Sequence, residues 1–179
     1  WNLHEKKLKE SFIFNSDKFV RIKNLTYLWT ENKSSMFSKA CEYGIRAVIY
    51  IAQKSLNEER ASLKDITAEI DSPEAFTAKV LQQLAKAKII NSIKGPNGGF
   101  EIDKDEIDSI KLSEIVNALD GDSIYKGCGL GLKVCNANEP CPVHDKFTAI
   151  RSELRKMLEN TSLFELATSL ETGLTYLKR

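Results

Sequence analysis

The chain has 179 residues, of which 42% are hydrophobic and 28% charged, and its formal net charge is +1. These values are typical of one globular domain, with or without an appended helical arm. The small net charge excludes a uniformly basic surface, so any nucleic-acid binding needs a local basic patch. No apolar run is long enough to span a bilayer and the N-terminus lacks the order of a secretory signal, so we expect no membrane partner.

Residues 1–35 differ in character from the rest of the chain. They mix aromatic side chains with lysines, as in SFIFNSDKFVRIKNLTYLW, without a clear period. Met36 then looks like a natural start. We interpret residues 1–35 as a leader or an N-terminal extension outside the main fold, and an ordinary N-terminal element is the alternative.

Three helices are predicted next. Apolar residues at helical spacing predict the first helix, from Phe37 to about Lys54. Ser62 is the predicted N-cap of the second helix, SLKDITAEI, and Asp65 supplies an imperfect capping box. The turn at residues 71–73 opens the third helix, EAFTAKVLQQLAKAKII, because proline is favoured in the first helical turn. The expected buried side of this third helix consists of Phe76, Val80, Leu81 and Leu84.

A β-hairpin is predicted after the third helix. Two β-prone pieces of INSIKGPNGGFEI flank a tip at residues 95–99, where glycine and asparagine supply positive φ angles. Helices followed by a hairpin are the order of a winged helix–turn–helix. A fourth helix, KLSEIVNALDG, ends at Gly121, a predicted C-cap. We therefore predict a mainly α fold with a small β-hairpin wing, and a winged helix–turn–helix DNA-binding domain over residues 36–121.

A cysteine-rich loop and a long helix are predicted in the C-terminal part. The loop occupies residues 122–145. The amphipathic helix VHDKFTAIRSELRKMLEN runs from about Pro142 to Asn160, and a short helix, SLFELATSL, follows it. Residues 146–179 comprise this helix, whose apolar stripe fits the role of a dimerisation helix, and a C-terminal tail. That stripe consists of Phe147, Ile150, Leu154, Met157 and Leu158.

The third helix is the candidate recognition helix, which in this fold enters the major groove. Glutamine can pair with adenine in bidentate fashion, and lysine can reach guanine or phosphate. The wing adds polar residues beside backbone amides freed by the glycines. A face of lysine and glutamine is also typical of a plain solvated helix, so the order of elements is the more specific signal. The candidate DNA-binding residues are Thr77, Lys79, Gln82, Gln83, Lys86, Lys94 and Asn97.

Three of the four cysteines lie in GCGLGLKVCNANEPCPVH, with the spacing C-x6-C-x5-C-x2-H. Thiolates gathered on a flexible loop suit an iron–sulfur cluster or zinc. A secreted disulfide framework is expected in shorter chains with more cysteine, so we expect a reducing cytoplasm. A thiol switch is the third interpretation. The candidate metal ligands are Cys128, Cys135, Cys141 and His144, whereas Cys41 is expected to be a buried small hydrophobe.

These motifs together resemble the Rrf2 family of bacterial winged-helix transcription regulators. The similar segments are MFSKACEYGIRAVIYIA, SLKDITAEI, FTAKVLQQLAKAKIINSIKGPNGGF, KLSEIVNALDG and the loop with CPVH, from about Met36 to Leu166. The resemblance implies a homodimer in which the long helix packs against its partner. It also implies a double-stranded DNA operator whose two half-sites lie about 34 Å apart, or a multiple of that distance.

The resemblance further implies a cofactor. Family members that hold a cluster use three cysteines of this loop, and IscR-like members add a histidine after the third cysteine. A 2Fe–2S cluster would then be bound by Cys128, Cys135, Cys141 and His144. In NsrR-like members an acidic residue of the first helix supplies the fourth ligand from the other subunit. The matching residue here is Glu42, whose use would favour a 4Fe–4S cluster. The chain departs from the family at Ala78, where an acidic residue is frequent, and its first two cysteines are slightly farther apart.

We expect a cytoplasmic, homodimeric transcription regulator whose operator binding responds to an iron–sulfur cluster sensing redox state, nitric oxide or cluster supply. A cluster-free, zinc-containing or thiol-switched repressor of the same fold, as in CymR-like relatives, is the alternative. An enzyme is not expected, because the sequence contains no P-loop, dinucleotide fingerprint or nucleophile–base pair. No small-molecule substrate is expected, and an electron-transfer protein would not require the winged helix.

Overall fold

Helices dominate the computed structural model, which describes residues 36–173 and 175–178. The leader or extension predicted for residues 1–35 lies outside the described residues. In chain order the elements are α1 (Lys39–Leu56), α2 (Leu63–Ile70), α3 (Glu74–Lys86), β1 (Asn91–Ile93), β2 (Gly99–Glu101), α4 (Leu112–Asp120), α5 (Ser123–Lys126), α6 (His144–Asn160) and α7 (Leu163–Glu171). This order confirms the predicted fold class. Among the described helices, none is both long and apolar enough to cross a bilayer.

The helix ends follow local side-chain chemistry. The hydroxyl of Ser62 accepts the amide of Asp65, and the Asp65 carboxylate accepts the amide of Ser62, so the predicted capping box is formed. Asp71 ends α2 in the left-handed conformation with φ of 48°. Pro73 precedes α3 as its N-cap residue rather than lying inside its first turn. Gly121, with φ of 69°, ends α4 as predicted.

The wing is an antiparallel hairpin of β1 and β2, in which Ser92 faces Phe100. Gly95 has φ of 116° at the tip, as the sequence predicts. The expectation that asparagine also supplies a positive φ was wrong, because Asn97 is not among the described non-glycine residues with positive φ. A short extended segment before α2 adds a bridge, since Ala61 and Phe100 exchange both backbone hydrogen bonds, at 3.0 and 2.9 Å.

The main core lies between α1, α2, α3, α4 and α7, and its largest fully buried side chains include Ile51, Ile66 and Leu81. The buried side of α3 contains Val80, Leu81 and Leu84 as predicted. Phe76 was wrongly placed there, because its side chain is 38% exposed and packs edge-on against the ring of Tyr43 at 5.8 Å.

The long helix α6 is only partly covered. Leu158 is fully buried in a small cluster with Cys41 and Val116, whereas Ile150 and Met157 are 62% and 47% exposed. The apolar stripe predicted on α6 therefore divides into a part that packs on the body of the same chain and a part that faces outwards.

Candidate nucleic-acid interface and metal centre

The outer face of α3 carries three of the predicted DNA-binding side chains. Lys79, Gln82 and Lys86 are exposed, and their spacing places them on one side of the helix. The opposite side of α3 is buried in the core. The core therefore holds α3 so that a lysine- and glutamine-containing surface faces outwards.

Thr77 does not belong to this surface. Its side chain is fully buried, and its hydroxyl donates to the carbonyl of Pro73 at 3.0 Å and shares a hydrogen bond with Ser72 at 2.7 Å. We therefore correct the prediction that Thr77 contacts DNA. Its role is to tie the first turn of α3 to the preceding turn.

Gln83 is exposed, but its amide group already has a partner. Its Nε2 donates to the carbonyl of Ala118 in α4 at 2.7 Å. This hydrogen bond joins α3 to α4, the helix that leads towards the cysteine loop, so Gln83 is placed to orient α3.

The wing presents Lys94 and Asn97, both exposed, near its tip. Arg60, which the sequence analysis missed, braces the hairpin. Its guanidinium pairs with the Glu101 carboxylate and donates to the carbonyl of Asn97 at 3.3 Å. The extended residues just before the Ser62 cap were the available signal, because a winged helix needs a short strand there to pair with the hairpin.

Two of the predicted metal ligands are in direct contact. Sγ of Cys135 lies 3.5 Å from Nδ1 of His144. All three thiols are free and partly exposed. Within the described part of the chain, no group of three or more His, Cys, Asp or Glu residues is arranged to hold a metal ion. The donors match soft metal chemistry, and Cys128 and Cys141 would have to join Cys135 and His144 to form one site.

Arg151 of α6 is a second residue that the sequence analysis missed. Its guanidinium donates to the carbonyl of Gly127, to Sγ of Cys135 at 3.4 Å and to the hydroxyl of Thr148 at 3.1 Å. The helical spacing of His144, Thr148 and Arg151 was the available signal, because residues four and seven positions apart share a face. Arg151 thus holds two points of the loop, Gly127 and Cys135, against α6.

The thiol of Cys128 is electrostatically stabilised as a thiolate. Backbone amides of Leu130 and Leu132 lower its pKa most, and the Cys141 side chain and the charge of Arg151 act in the same direction. A lowered pKa raises the thiolate fraction, which is the form that binds metals and reacts with oxidants.

The first turn of α1 holds the alternative fourth ligand. The Glu42 carboxylate forms an ion pair with Lys39 at 2.6 Å. Its neighbour Cys41 is fully buried, which confirms the prediction for that residue. Burial, followed by the nearby Asp120 carboxylate, raises the pKa of Cys41 to about 12, so this thiol stays protonated.

Comparison with known proteins gives a consistent result. The sequence profile of the Rrf2 family, described as an iron-dependent transcriptional regulator, matches residues 37–169. A protein of Aquifex aeolicus (strain VF5), named as an HTH-type transcriptional regulator, is 31% identical over 134 residues, which cover 73% of this chain and 90% of that protein.

Solved structures agree with the sequence comparison. CymR (YrzC), the global cysteine regulator of B. subtilis, matches with a TM-score of 0.60 and 26% identity, over 74% of this chain and 95% of that chain. IscR of T. potens shares the fold, with a TM-score of 0.60 and 22% identity, over 77% of this chain and 90% of that chain.

Proposed function

The chain belongs to the Rrf2 family of transcriptional regulators, and we propose that it binds operator DNA as a homodimer whose affinity is set by the state of the cysteine loop. Members of this family are transcriptional regulators and not enzymes. The observation that carries the proposal is the contact of Cys135 with both His144 and Arg151, because it joins the loop to the helix expected to form the dimer.

DNA reading falls to α3 and the wing. The exposed amide of Gln82 can pair with adenine, and Lys79 and Lys86 can reach guanine or phosphate. Lys94 and Asn97 of the wing approach phosphates or the minor groove. Since Gln83 is bound to α4, it orients the recognition helix rather than reading a base.

Dimerisation falls to the outward part of the α6 stripe. Ile150 and Met157 lie seven positions apart on one helix face, and both are large, apolar and exposed. Such a face marks an interaction surface. Pairing two α6 helices would present two recognition helices to half-sites about 34 Å apart or a multiple of it.

An iron–sulfur cluster is the proposed cofactor, with Cys128, Cys135, Cys141 and His144 as ligands and 2Fe–2S as the expected type. The contact of His144 with Cys135 supports the histidine as fourth ligand. The partner subunit's Glu42 is the alternative, with a 4Fe–4S cluster. When bound, such a cluster supplies a centre that responds to redox state, nitric oxide or cluster supply.

The residues of the chain itself connect the loop to α5 and α6. Arg151 holds Gly127 and Cys135 against α6. The guanidinium of Arg155, one turn further along, stacks on the ring of Tyr125 in α5 at 4.9 Å. A change in the loop therefore shifts α5 and α6 together and alters the spacing of the two recognition helices. Control of DNA binding then requires that the two states of the loop differ in their free energy of DNA binding.

A zinc- or thiol-switched repressor is the second candidate. The lowered pKa of Cys128, to which the Cys141 side chain contributes, favours it. A peroxide could oxidise these two thiols to a disulfide, with both electrons and both protons passing to the peroxide oxygens as water. Three thiols and one histidine also suit a closed zinc site.

The first experiment separates these candidates. The protein is purified without oxygen, and its UV–visible spectrum is recorded with iron, sulfide and zinc assayed on the same sample. Charge-transfer bands with matching iron and sulfide would support the cluster. A colourless sample with zinc, or with no metal after reconstitution, would move the function to the second candidate.

The second experiment tests DNA reading and its control by the loop. A duplex that binds the protein is selected from a random library, and affinities are measured by fluorescence anisotropy. We expect Gln82→Ala to lose about 5- to 150-fold in affinity, equivalent to about 1–3 kcal/mol. Lys156→Ala, a cation of α6, serves as control. Cys135→Ala should remove the bound group and change the affinity, and unchanged binding in that variant with and without cofactor would refute the coupling.

A further inference from the structure

A cavity of about 520 Å³ lies between α1, α2 and the C-terminal segment 175–178, a size typical of small-molecule sites. Its polar lining includes Tyr50, Gln53 and Glu69. Among the described residues, those that line it include none assigned to DNA or to the cysteine loop. The cavity is therefore separate from the site already described.

The C-terminal wall of this cavity is attached to the helix–turn–helix. The guanidinium of Arg46 donates to the carbonyl of Leu177 at 3.3 Å and to that of Ile70, the last residue of α2, at 2.8 Å. The ammonium of Lys178 donates to the carbonyl of Ala68 at 2.9 Å. A molecule held in the cavity would thus contact the wall and the first helix of the DNA-binding motif together.

The cavity offers polar groups that the protein itself leaves unused. Within the described part of the chain, the Glu69 carboxylate, the Tyr50 hydroxyl and the Gln53 amide group form no hydrogen bond or ion pair. The cations differ, because Lys54 pairs with Glu59 at 2.7 Å and Lys178 is bound to a carbonyl. Glu69 is therefore an acidic group of the lining whose carboxylate has no ammonium partner among the described residues.

The electrostatic surroundings of Tyr50 point the same way. Burial raises the pKa of its hydroxyl, and the charges of Asp65, Glu69 and Glu59 raise it further, whereas Lys54 alone lowers it. The Tyr50 hydroxyl therefore keeps its proton at neutral pH, and its oxygen can accept a hydrogen bond from an ammonium cation. The ring of Tyr50 already attracts one, since Nζ of Lys54 lies 6.0 Å from its centroid.

We propose that this cavity binds a small organic molecule carrying an ammonium group, with Glu69 as counter-ion and Tyr50 and Gln53 as hydrogen-bond partners. The bound molecule joins α2 to α1 and to segment 175–178, and so stabilises the first helix of the helix–turn–helix. A polyamine and a basic amino acid both carry this ammonium chemistry. The inference goes beyond the proposed function and does not depend on a metal in the cysteine loop.

Isothermal titration calorimetry on the full chain tests the ligand class. The probes are 1,4-diaminobutane, L-lysine and the uncharged 1,4-butanediol. We expect saturable binding, one molecule per chain, for at least one of the amines and none for the diol. The tighter of the two amines identifies a polyamine or an amino acid as the source. Absence of saturable binding by both amines, or equal binding of the diol, would overturn the proposal.

Matched variants test the assigned residues. Glu69→Gln keeps the shape and removes the charge, so the amine should bind about tenfold more weakly or worse. Tyr50→Phe should weaken binding severalfold while leaving the fold intact, and it keeps the test valid if the first variant is unstable. Glu106→Gln, an exposed carboxylate outside the cavity, should bind like the wild type. Wild-type affinity in both cavity variants, or equal losses in the control, would contradict the assignment.

Discussion

The winged-helix body and the cysteine loop differ in what holds them in place. The body, residues 37–121 with α7, buries complete side chains such as Ile51, Ile66 and Leu81, and serine side chains cap α1, α2 and α7 by local hydrogen bonds. In the loop, residues 127–143, Val134 is 72% exposed and the contacts of Arg151 provide much of the attachment. Apolar burial specifies one conformation of the body, whereas the loop depends on a few polar contacts and on what it binds.

Thiol reactivity should show the largest contrast between the two regions. Cys41 is fully buried in the body, whereas the three loop thiols are partly exposed. In metal-free, reduced protein we expect three thiols to react rapidly with an aromatic disulfide reagent. The fourth thiol, that of Cys41, should react slower by a factor of about 10³ or more, because the reagent reaches it only when the body opens. Fast reaction of all four would mean that the body opens as readily as the loop.

Truncating apolar side chains should separate the regions by stability. Leu81→Ala leaves a cavity in the core and should lower the free energy of unfolding by about 2–5 kcal/mol. Val134→Ala removes exposed surface and should change it by less than about 0.5 kcal/mol. Urea unfolding followed by circular dichroism measures both. A comparable loss in both variants would show that the loop is packed as firmly as the core.

Alkaline pH should act in opposite directions on cysteines of the two regions. The pKa of Cys41 is about 12 in the folded protein and about 8.5 in the unfolded chain. Because the unfolded chain loses this proton first, the free energy of unfolding falls as pH rises above about 9. The difference between wild type and Cys41→Ala should shrink by about 1–2 kcal/mol from pH 8 to pH 10.

The matching loop variant is Cys128→Ala. The folded pKa of Cys128 lies below its ordinary value, so its contribution grows as pH rises through the folded pKa towards the unfolded one. The difference between wild type and this variant should therefore change with the opposite sign. The same sign for both variants in urea unfolding would contradict the contrast between the buried and the exposed thiol.

The smallest expected contrast concerns single hydrogen bonds. Ser62→Ala removes the cap of α2 and should cost about 0.5–2 kcal/mol. Asn136→Ala removes a loop bond, in which the Asn136 side chain accepts the amide of Asn138 at 2.9 Å. It should leave global unfolding unchanged because the loop opens locally. Equal losses in urea unfolding would show that loop and body unfold as one unit.

Much of the body followed from local patterns. The capping box at Ser62, the end of α4 at Gly121 and the hairpin all depend on residues close in the chain, and all were predicted. The placement of Phe76 was wrong because helical spacing alone cannot tell a core face from a surface aromatic contact such as that with Tyr43. The short helix α5 was not predicted, since four residues carry too little periodicity.

The candidate site was less predictable. Spacing identified the three loop cysteines and His144 as candidates, but not the direct contact of Cys135 with His144. Thr77 and Gln83 look alike in sequence as polar residues of α3. Only the packing of α3 shows that one is buried and that the other is bound to Ala118.

The sequence by itself determined the order of helices and wing and the family, and it supplied the candidate soft ligands, because these depend on periodicity, capping and spacing along the chain. The tertiary structure decided which of those residues are free to act. The brace of Arg60 on the wing, the attachment of the loop by Arg151 and the cavity beside Glu69 each join segments distant in the chain. Such contacts arise only when the core brings those segments together, and no local pattern encodes them.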